Sequence, residues 1–293
     1  MPNLTKIVNL VRRIYKDSGF EEPRRPGKKV FSDLYICQMV VVQTLKGYTS
    51  ERQFLRYLRS HPSKAFPKIP SQSQYNQRSK ALNQTIEQLT ECLLRKLKID
   101  QTKIRIIDAT AVPVVKLYRA NRTKAFANKR LFGIGYCAAK KEHYYGQKLT
   151  LVANQEGIPV AYHLMPANRH DVKGLKPATK NLSGIWLVAD KGYIGKEQKQ
   201  SLKEKKRITL ITPVRRNQKI KLTKWEKRKL KHRQLIETIN QQFKDHFGLE
   251  RLRAKSAEGI KTRVRNIIFS YLIAIYFNKI YHRNLLSIKE ILA

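Results

Sequence analysis

The chain has 293 residues, room for about two domains. Its 41% apolar content suffices for a real core and argues against wholesale disorder. It carries 61 Lys+Arg against 21 Asp+Glu, a net charge of +40 spread along its whole length, and such a chain suits a polyanion, nucleic acid being the usual one. Cys37, Cys92 and Cys137 are widely spaced, which disfavours a disulfide scaffold or zinc finger and fits a reducing compartment. The first twenty residues lack the continuous apolar core of a signal peptide. The longest apolar run, Ile267 to Phe277, is 11 residues, short of the roughly 20 that cross a bilayer, so no membrane partner is expected and the run reads as a buried helix.

In chain order, Leu4, Ile7, Val8, Val11 and Ile14 form a helical stripe within Met1 to Phe20. Glu21 to Lys29, with two prolines and a glycine, reads as a linker. Ser32 to Lys46 predicts an apolar helix ended by Gly47, and Ser50 with Gln53 caps another that runs to about Arg59. Helix, glycine turn, helix resembles a helix-turn-helix, and an ordinary αα-hairpin reads equally well. A proline-rich loop, His61 to Pro70, precedes a helix capped by Ser71 and Gln74 that continues with breaks towards Lys98. This first part, residues 1–99, reads as a separate all-α domain for DNA binding or multimerisation. Its Arg52, Arg56, Arg59, Arg78 and Lys80 could grip phosphates or form a solvated face.

Residues 100–293 read differently. Lys103 to Thr110 contains β-branched Ile104, Ile106 and Ile107, a buried strand that ends at Asp108, one of only seven Asp in the chain. A basic stretch, Lys116 to Arg130, follows, with Arg119, Arg122, Lys129 and Arg130 suited to a phosphate backbone. Gly133–Ala139, Tyr144–Asn154 and Ile158–Met165 predict three consecutive strands in a meander, Gln147 and Lys148 interrupting the second. A short helix is expected from about Asp171 to Lys180. Gly184 to Asp190 repeats the first pattern, an apolar strand ending in Asp, and Lys191-Gly192-Tyr193 follows. Trp186 in that strand reads as core; Tyr193 is either core or a stacking side chain. A helix from Lys196 to Lys206 and a strand from Arg207 to Thr212 lead to a long helix, Thr223 to Phe247. On that helix Leu235, Ile236, Ile239, Phe243 and Phe247 share one side, and Arg233, Glu237, Asn240, Gln241 and Lys244 the other.

Asp108, Asp190 and Glu237 are therefore candidates for one acidic site, at spacings of 82 and 47 residues. Singly, each has a plainer reading: an edge charge or cap, a turn residue, and an exposed helix acid paired with Arg233. Together, three carboxylates repel unless a cation neutralises them, and hard oxygen ligands select Mg²⁺ or Mn²⁺. Two such ions can activate an attacking hydroxyl and steady the leaving oxygen of a phosphodiester. His170-Asp171 reads as a loop ending in a cap, with a supporting place near the site open to it. Asp245, nearer the Phe243 side, competes for the third acid.

From Lys103 to Arg265 the chain resembles the DDE transposases of bacterial insertion sequences. Asp108 matches the first acid, Asp190 in ADKGY the second and Glu237 the third. The family signature Tyr-x2-Arg-x3-Glu-x6-Lys is met by Arg233, Glu237 and Lys244, with Leu230 in the Tyr place. The resemblance implies an α/β fold, a ribonuclease-H-like mixed sheet flanked by helices behind the all-α N-terminal domain. It implies a Mg-dependent enzyme with two ions held by Asp108, Asp190 and Glu237. Arg233, Lys244, Lys191 and Tyr193 would contact DNA. The enzyme would cut double-stranded DNA at the element ends and transfer the 3′-OH into target DNA, as a homodimer or higher multimer in the bacterial cytoplasm at the nucleoid. A nuclease of the same fold that only hydrolyses, or an inactive transposase-derived DNA-binding protein, are the alternatives.

Overall fold

The computed structural model describes residues 3–21, 31–138, 140–214 and 221–291. The linker expected at Glu21 to Lys29 lies, from residue 22 onward, outside the described residues. Contacts divide the chain into two compact units, Met1–Lys98 with Phe243–Ala293, and Ile99–Gln242.

The first unit opens with α1 (Leu4–Asp17), whose apolar stripe is buried at Ile7, Val8, Val11 and Ile14. In α2 (Asp33–Leu45) nearly every residue is buried. Its start is fixed by Ser32, whose Oγ accepts from the Tyr35 N–H at 3.1 Å, and Gly47 follows its end at φ +71°. Ser50 caps α3 (Glu51–Ser60) in the same way. At α4 (Gln72–Ala81) the capping box is complete: Ser71 Oγ accepts from Gln74 N and Gln74 Oε1 from Ser71 N. Leu82 separates α4 from α5 (Asn83–Lys96). Among the described residues, two of the five basic residues singled out here have partners within the unit. Arg59 donates to the Pro70 carbonyl, and Arg78 donates to the Phe31 carbonyl and pairs with Asp33.

The second unit is a mixed sheet with helices. Its strands are β1 (Ile104–Val115), β2 (Gly133–Cys137), β3 (Glu142–Asn154), β4 (Pro159–Pro166), β5 (Trp186–Val188) and β6 (Thr209–Ile211). They run in the order β2-β3-β1-β5-β6, with β4 also on β3. The three middle strands do not form a simple meander. β1 takes one edge of β3, so β2 and β4 divide the other edge, at residues 142–146 and 147–153 of β3. The strand carrying Asp108 does not end there. β1 runs seven residues further because antiparallel pairing with β3 continues to Val115. What does end is its parallel neighbour: β5 pairs with β1 only over Ile104 to Ile106.

Side-chain alternation gives the sheet two covered faces. On one, Ile107, Leu187, Ala189 and Leu210 pack with α6 (Leu175–Ala178) and α7 (Lys196–Lys206) through Leu175, Ala178 and Leu202. The helix expected over residues 171–180 is thus a 3-10 turn, Asp171–Gly174, leading into α6. On the other face, Ile104, Val188 and Ile211 cluster with Leu230. Leu230 closes α8 (Lys224–Leu230), and α9 (Arg233–Asp245) follows. The single long helix expected here is broken at Lys231 and His232, so that Arg233 opens a helix rather than lying inside one. Trp186 is not core. It opens β5 on the face covered by α8, which buries none of its own residues, and it remains 36% exposed, edge-on to Trp225 at 5.1 Å between ring centroids.

After Gln242 the chain returns to the first unit. α10 (Ala257–Ile280) is buried around most of its circumference, and α1, α2, α4 and α5 pack against it. A helix apolar all round needs cover on every side. The contact-based units differ from the expected division at residues 99 and 100: Phe243–Ala293 groups with Met1–Lys98. Glu51 of α3, only 8% exposed in its side chain, pairs with Arg263 of α10 at 2.8 Å and accepts from Asn76.

Candidate active site

The register of β1 against β5 sets the site. Ile106 lies opposite Val188, so Asp108 and Asp190 stand two residues beyond at equivalent positions. Both share the face of Val188 and Leu230 and emerge where β5 has stopped and one side of β1 is open. Adjacent strands lie about 4.8 Å apart, so two carboxylates here are close enough to repel.

The second helix on that face answers them. Asn240 Nδ2 donates to Asp108 Oδ2 at 3.0 Å. Arg233 Nη2 lies 3.1 Å from Asp190 Oδ1 and 3.7 Å from Glu237 Oε1. One turn of helix separates Arg233 from Glu237, so a single guanidinium bridges the second and third acids. Burial pushes the Asp108 carboxyl up to about 6; the Ala109 N–H opposes this, Asp171 and Asp190 add to it, and Arg233 counters it. Asp108 is the enclosed member of the set, whereas the side chains of Asp190 and Glu237 are 47% and 60% exposed.

A fourth carboxylate flanks the cluster from the other face. Asp171 Oδ1 pairs with Lys148 at 2.8 Å, and Lys148 also donates to the Arg169 carbonyl. The other oxygen of Asp171 lies against Gly192, 3.3 Å from where a Cβ would stand, so the turn after Asp190 passes close beneath it. Tyr193 follows and is not a surface stacking residue: it is 1% exposed, within the α6–α7 core. The 3-10 turn Lys191–Tyr193 folds its ring inward, and burial with Asp108, Asp171 and Asp190 drives its hydroxyl pKa well above the ordinary value.

The other expected DNA contacts are spread out. Lys191 is exposed beside Asp190, and Arg119, Arg122, Lys129 and Arg130 are exposed on the segment after β1. Lys244 is half-buried in the last turn of α9. Asp245 is exposed, one residue beyond Lys244. Sequence reasoning did not single out Asn240 or Lys148 as functional. Their signals were a polar residue one turn beyond Glu237 and a cation interrupting an apolar strand.

The acids offer only oxygen donors, which fits a hard divalent cation. Among the described residues, no group of three or more His, Cys, Asp or Glu is gathered as a metal-holding set, and a guanidinium lies between Asp190 and Glu237. The donor chemistry fits such an ion, while as the side chains stand the Arg233 guanidinium occupies the space between Asp190 and Glu237.

Residues 98–257, more than half of the chain, match the family described as Transposase DDE domain. The chain belongs to the DDE transposases of insertion elements. The transposase is 24% identical, over 202 residues, to the transposase for insertion sequence element IS1106 of Neisseria meningitidis serogroup B, a match covering 60% of this chain and 70% of the relative. Its fold is similar to that of piggyBac transposase in the cryo-EM structure of a synaptic complex with hairpin DNA, with a TM-score of 0.51 and 12% identity over 100% of this chain and 76% of that one. In this transposase Leu230 stands in the Tyr place of the family signature and packs against Ile104 of β1, Val188 of β5 and Ile211 of β6 instead of offering a hydroxyl.

Proposed function

We propose that this transposase cuts DNA at the ends of its element and joins the freed 3′-OH to target DNA at the site of Asp108, Asp190 and Glu237. The observation that carries this reading is the equivalent placement of Asp108 on β1 and Asp190 two residues past the end of its parallel neighbour β5, with Glu237 tied to Asp190 through Arg233. These three carboxylates would hold divalent cations, Mg²⁺ or Mn²⁺ by their oxygen chemistry. A bound pair would supply activation of the attacking hydroxyl and neutralisation of the leaving oxygen. Asn240 fixes the Asp108 carboxylate from one side. Arg233, released from the acids, contacts a phosphate, and Lys191, Lys244 and the basic segment with Arg119, Arg122, Lys129 and Arg130 track the backbone of double-stranded DNA. The sheet order, with antiparallel strands on one side of β1 and parallel β5 and β6 on the other, supports a ribonuclease-H-like core. The helical unit supplies terminal-repeat binding and the contacts of a dimer or higher multimer. Glu237→Gln tests the assignment on labelled terminal-repeat duplexes with target DNA: end cutting and joining disappear while duplex binding remains. Unchanged cutting refutes the site, and cutting without joining in the unsubstituted protein marks a hydrolase.

A further inference from the structure

Asp190 stands where the sheet gives out. Among the described residues, β5 pairs with β1 and with β6 only as far as Val188. One further bond, from the Ala189 N–H to the Ile211 carbonyl at 3.0 Å, precedes the 3-10 turn Lys191–Tyr193. That turn closes on itself: the Tyr193 N–H donates to the Asp190 carbonyl at 3.1 Å and the Ile194 N–H to the Lys191 carbonyl at 3.2 Å. Bonds inside a turn fix its shape, not its place against the sheet. The place is set by Asp171 and Val172. A Cβ on Gly192 would stand 3.3 Å from Asp171 Oδ2, and one on Gly195 would stand 3.6 Å from Val172 Cγ2. The two side chains thus bear on the turn at its middle and just past its end. Asp171 is itself held from the sheet. Lys148 of β3, opposite Ala111 of β1, donates to Asp171 Oδ1 at 2.8 Å and to the Arg169 carbonyl at 3.1 Å. The Lys148 side chain is only 18% exposed. An enclosed ion pair adds little net stability over apolar groups of the same shape, so its effect is read in geometry.

We propose that Lys148 and Asp171 are positioning residues of this transposase: their ion pair is a latch that seats the Lys191–Tyr193 turn and so sets where Asp190 stands relative to Asp108. The inference rests on the proposed cation site, at which Asp190 is a ligand. The latch works on the backbone, from the face of Lys148. Arg233 and Asn240 work on the carboxylates, from the face of α9. The Asp190 side chain can therefore exchange Arg233 for a cation while the turn beneath it keeps its place. Groups behind a metal's ligands hold them in register, and loss of one such support typically weakens metal affinity about 10–100-fold.

Lys148→Met, Asp171→Asn and the double variant test the latch. Amide hydrogen exchange at Tyr193 and Ile194, without cation, reads the turn directly. Titration calorimetry of Mn²⁺ without DNA reads the ligand, with Asp190→Asn as the control. Each single variant is expected to exchange faster at Tyr193 and Ile194 while β1 and β3 keep their protection, and to bind Mn²⁺ about tenfold or more weakly. In the double variant the losses do not add, because either substitution alone opens the latch; losses that add refute the pair as a unit. A merely structural pair lowers protection in β1 and β3 as well and leaves the Mn²⁺ affinity of the folded chain unchanged, which overturns the proposal. Unchanged exchange at Tyr193 and Ile194 also overturns it, and the cation site stands if Asp190→Asn alone loses Mn²⁺. If the unsubstituted chain takes up no Mn²⁺, or Asp190→Asn binds it unchanged, the cation site fails. Faster exchange confined to the turn then still upholds the latch as the seat of Asp190, and unchanged exchange removes it.

Discussion

Asn240 and Asp108 are 132 residues apart in sequence, yet the amide of the first donates 3.0 Å to the carboxylate of the second. This bond ties α9 to the central strand and aims the least exposed acid of the site. Its loss leaves Asp108 with less support while the apolar side of α9, Ile236 and Ile239, stays buried. Asn240→Ala is expected to cost about 1.5–3 kcal/mol of support for the ionised Asp108 and to reduce single-turnover cleavage by more than tenfold. It also moves the pH at which cleavage switches on upward. Asn240→Asp, which sets a second carboxylate against the first, is expected to be worse than alanine; equal or better cleavage would exclude the orienting role.

Asp108 has a folded pKa of about 6 against 3.8 in its ordinary state, chiefly through burial. A carboxyl shifted upward stabilises the fold in its protonated form. Its contribution is therefore greatest below about pH 4, declines between about pH 4 and 6, and is flat above that window, a total on the order of 3 kcal/mol in the absence of cation. Asp108→Asn removes this dependence. The melting temperature of the variant relative to the unsubstituted protein is expected to rise with pH across that window and to be higher at pH 7.5, although the variant does not cut DNA. A difference that is constant with pH would show that Asp108 does not titrate there.

Arg233 lies between Asp190 and Glu237, so under the proposed function a cation bound there would compete with it. Both acids are well exposed, so the pair is worth only about 0.2–1 kcal/mol. Arg233→Met is expected to tighten Mn²⁺ binding without DNA by about 1.4- to fivefold, the equivalent of that energy. The same substitution weakens binding to duplex DNA and lowers the slope of log affinity against log salt by about one. Calorimetry and fluorescence anisotropy read the two effects separately, and an unchanged Mn²⁺ affinity would refute the competition.

In the helical unit, Glu51 is buried against Arg263 and Asn76. Arg263→Met leaves that carboxylate without its counter-charge and is expected to cost about 3–5 kcal/mol in urea unfolding. Combining it with Glu51→Gln recovers most of the loss, because the buried charge is then gone. A single substitution that costs under about 1 kcal/mol would mean that water reaches Glu51.

Much of this protein could be read from local chemistry. The caps at Ser32, Ser50 and Ser71, the stripe of α1 and the apolar strands are properties of neighbours in sequence. Periodicity and capping act over a few residues, so they were legible without coordinates. Where β1 ends was not legible, because strand length depends on a partner: β3 carries β1 on to Val115 while β5 leaves it after Ile106.

The side-chain environments were likewise decided only by tertiary packing. Trp186 left its expected place in the core because it opens β5 on the face where α8 lies exposed, and Tyr193, open between core and surface in the sequence, is buried because a 3-10 turn folds its ring into the α6–α7 core. Asn240 and Lys148 entered the site through the packing of α9 and of the turn at Asp171 around the end of β5. The sequence by itself determined which charges and donors exist and on which elements. The fold decided which of them lose water together, and desolvation shared among neighbours depends on distances between segments far apart in the chain.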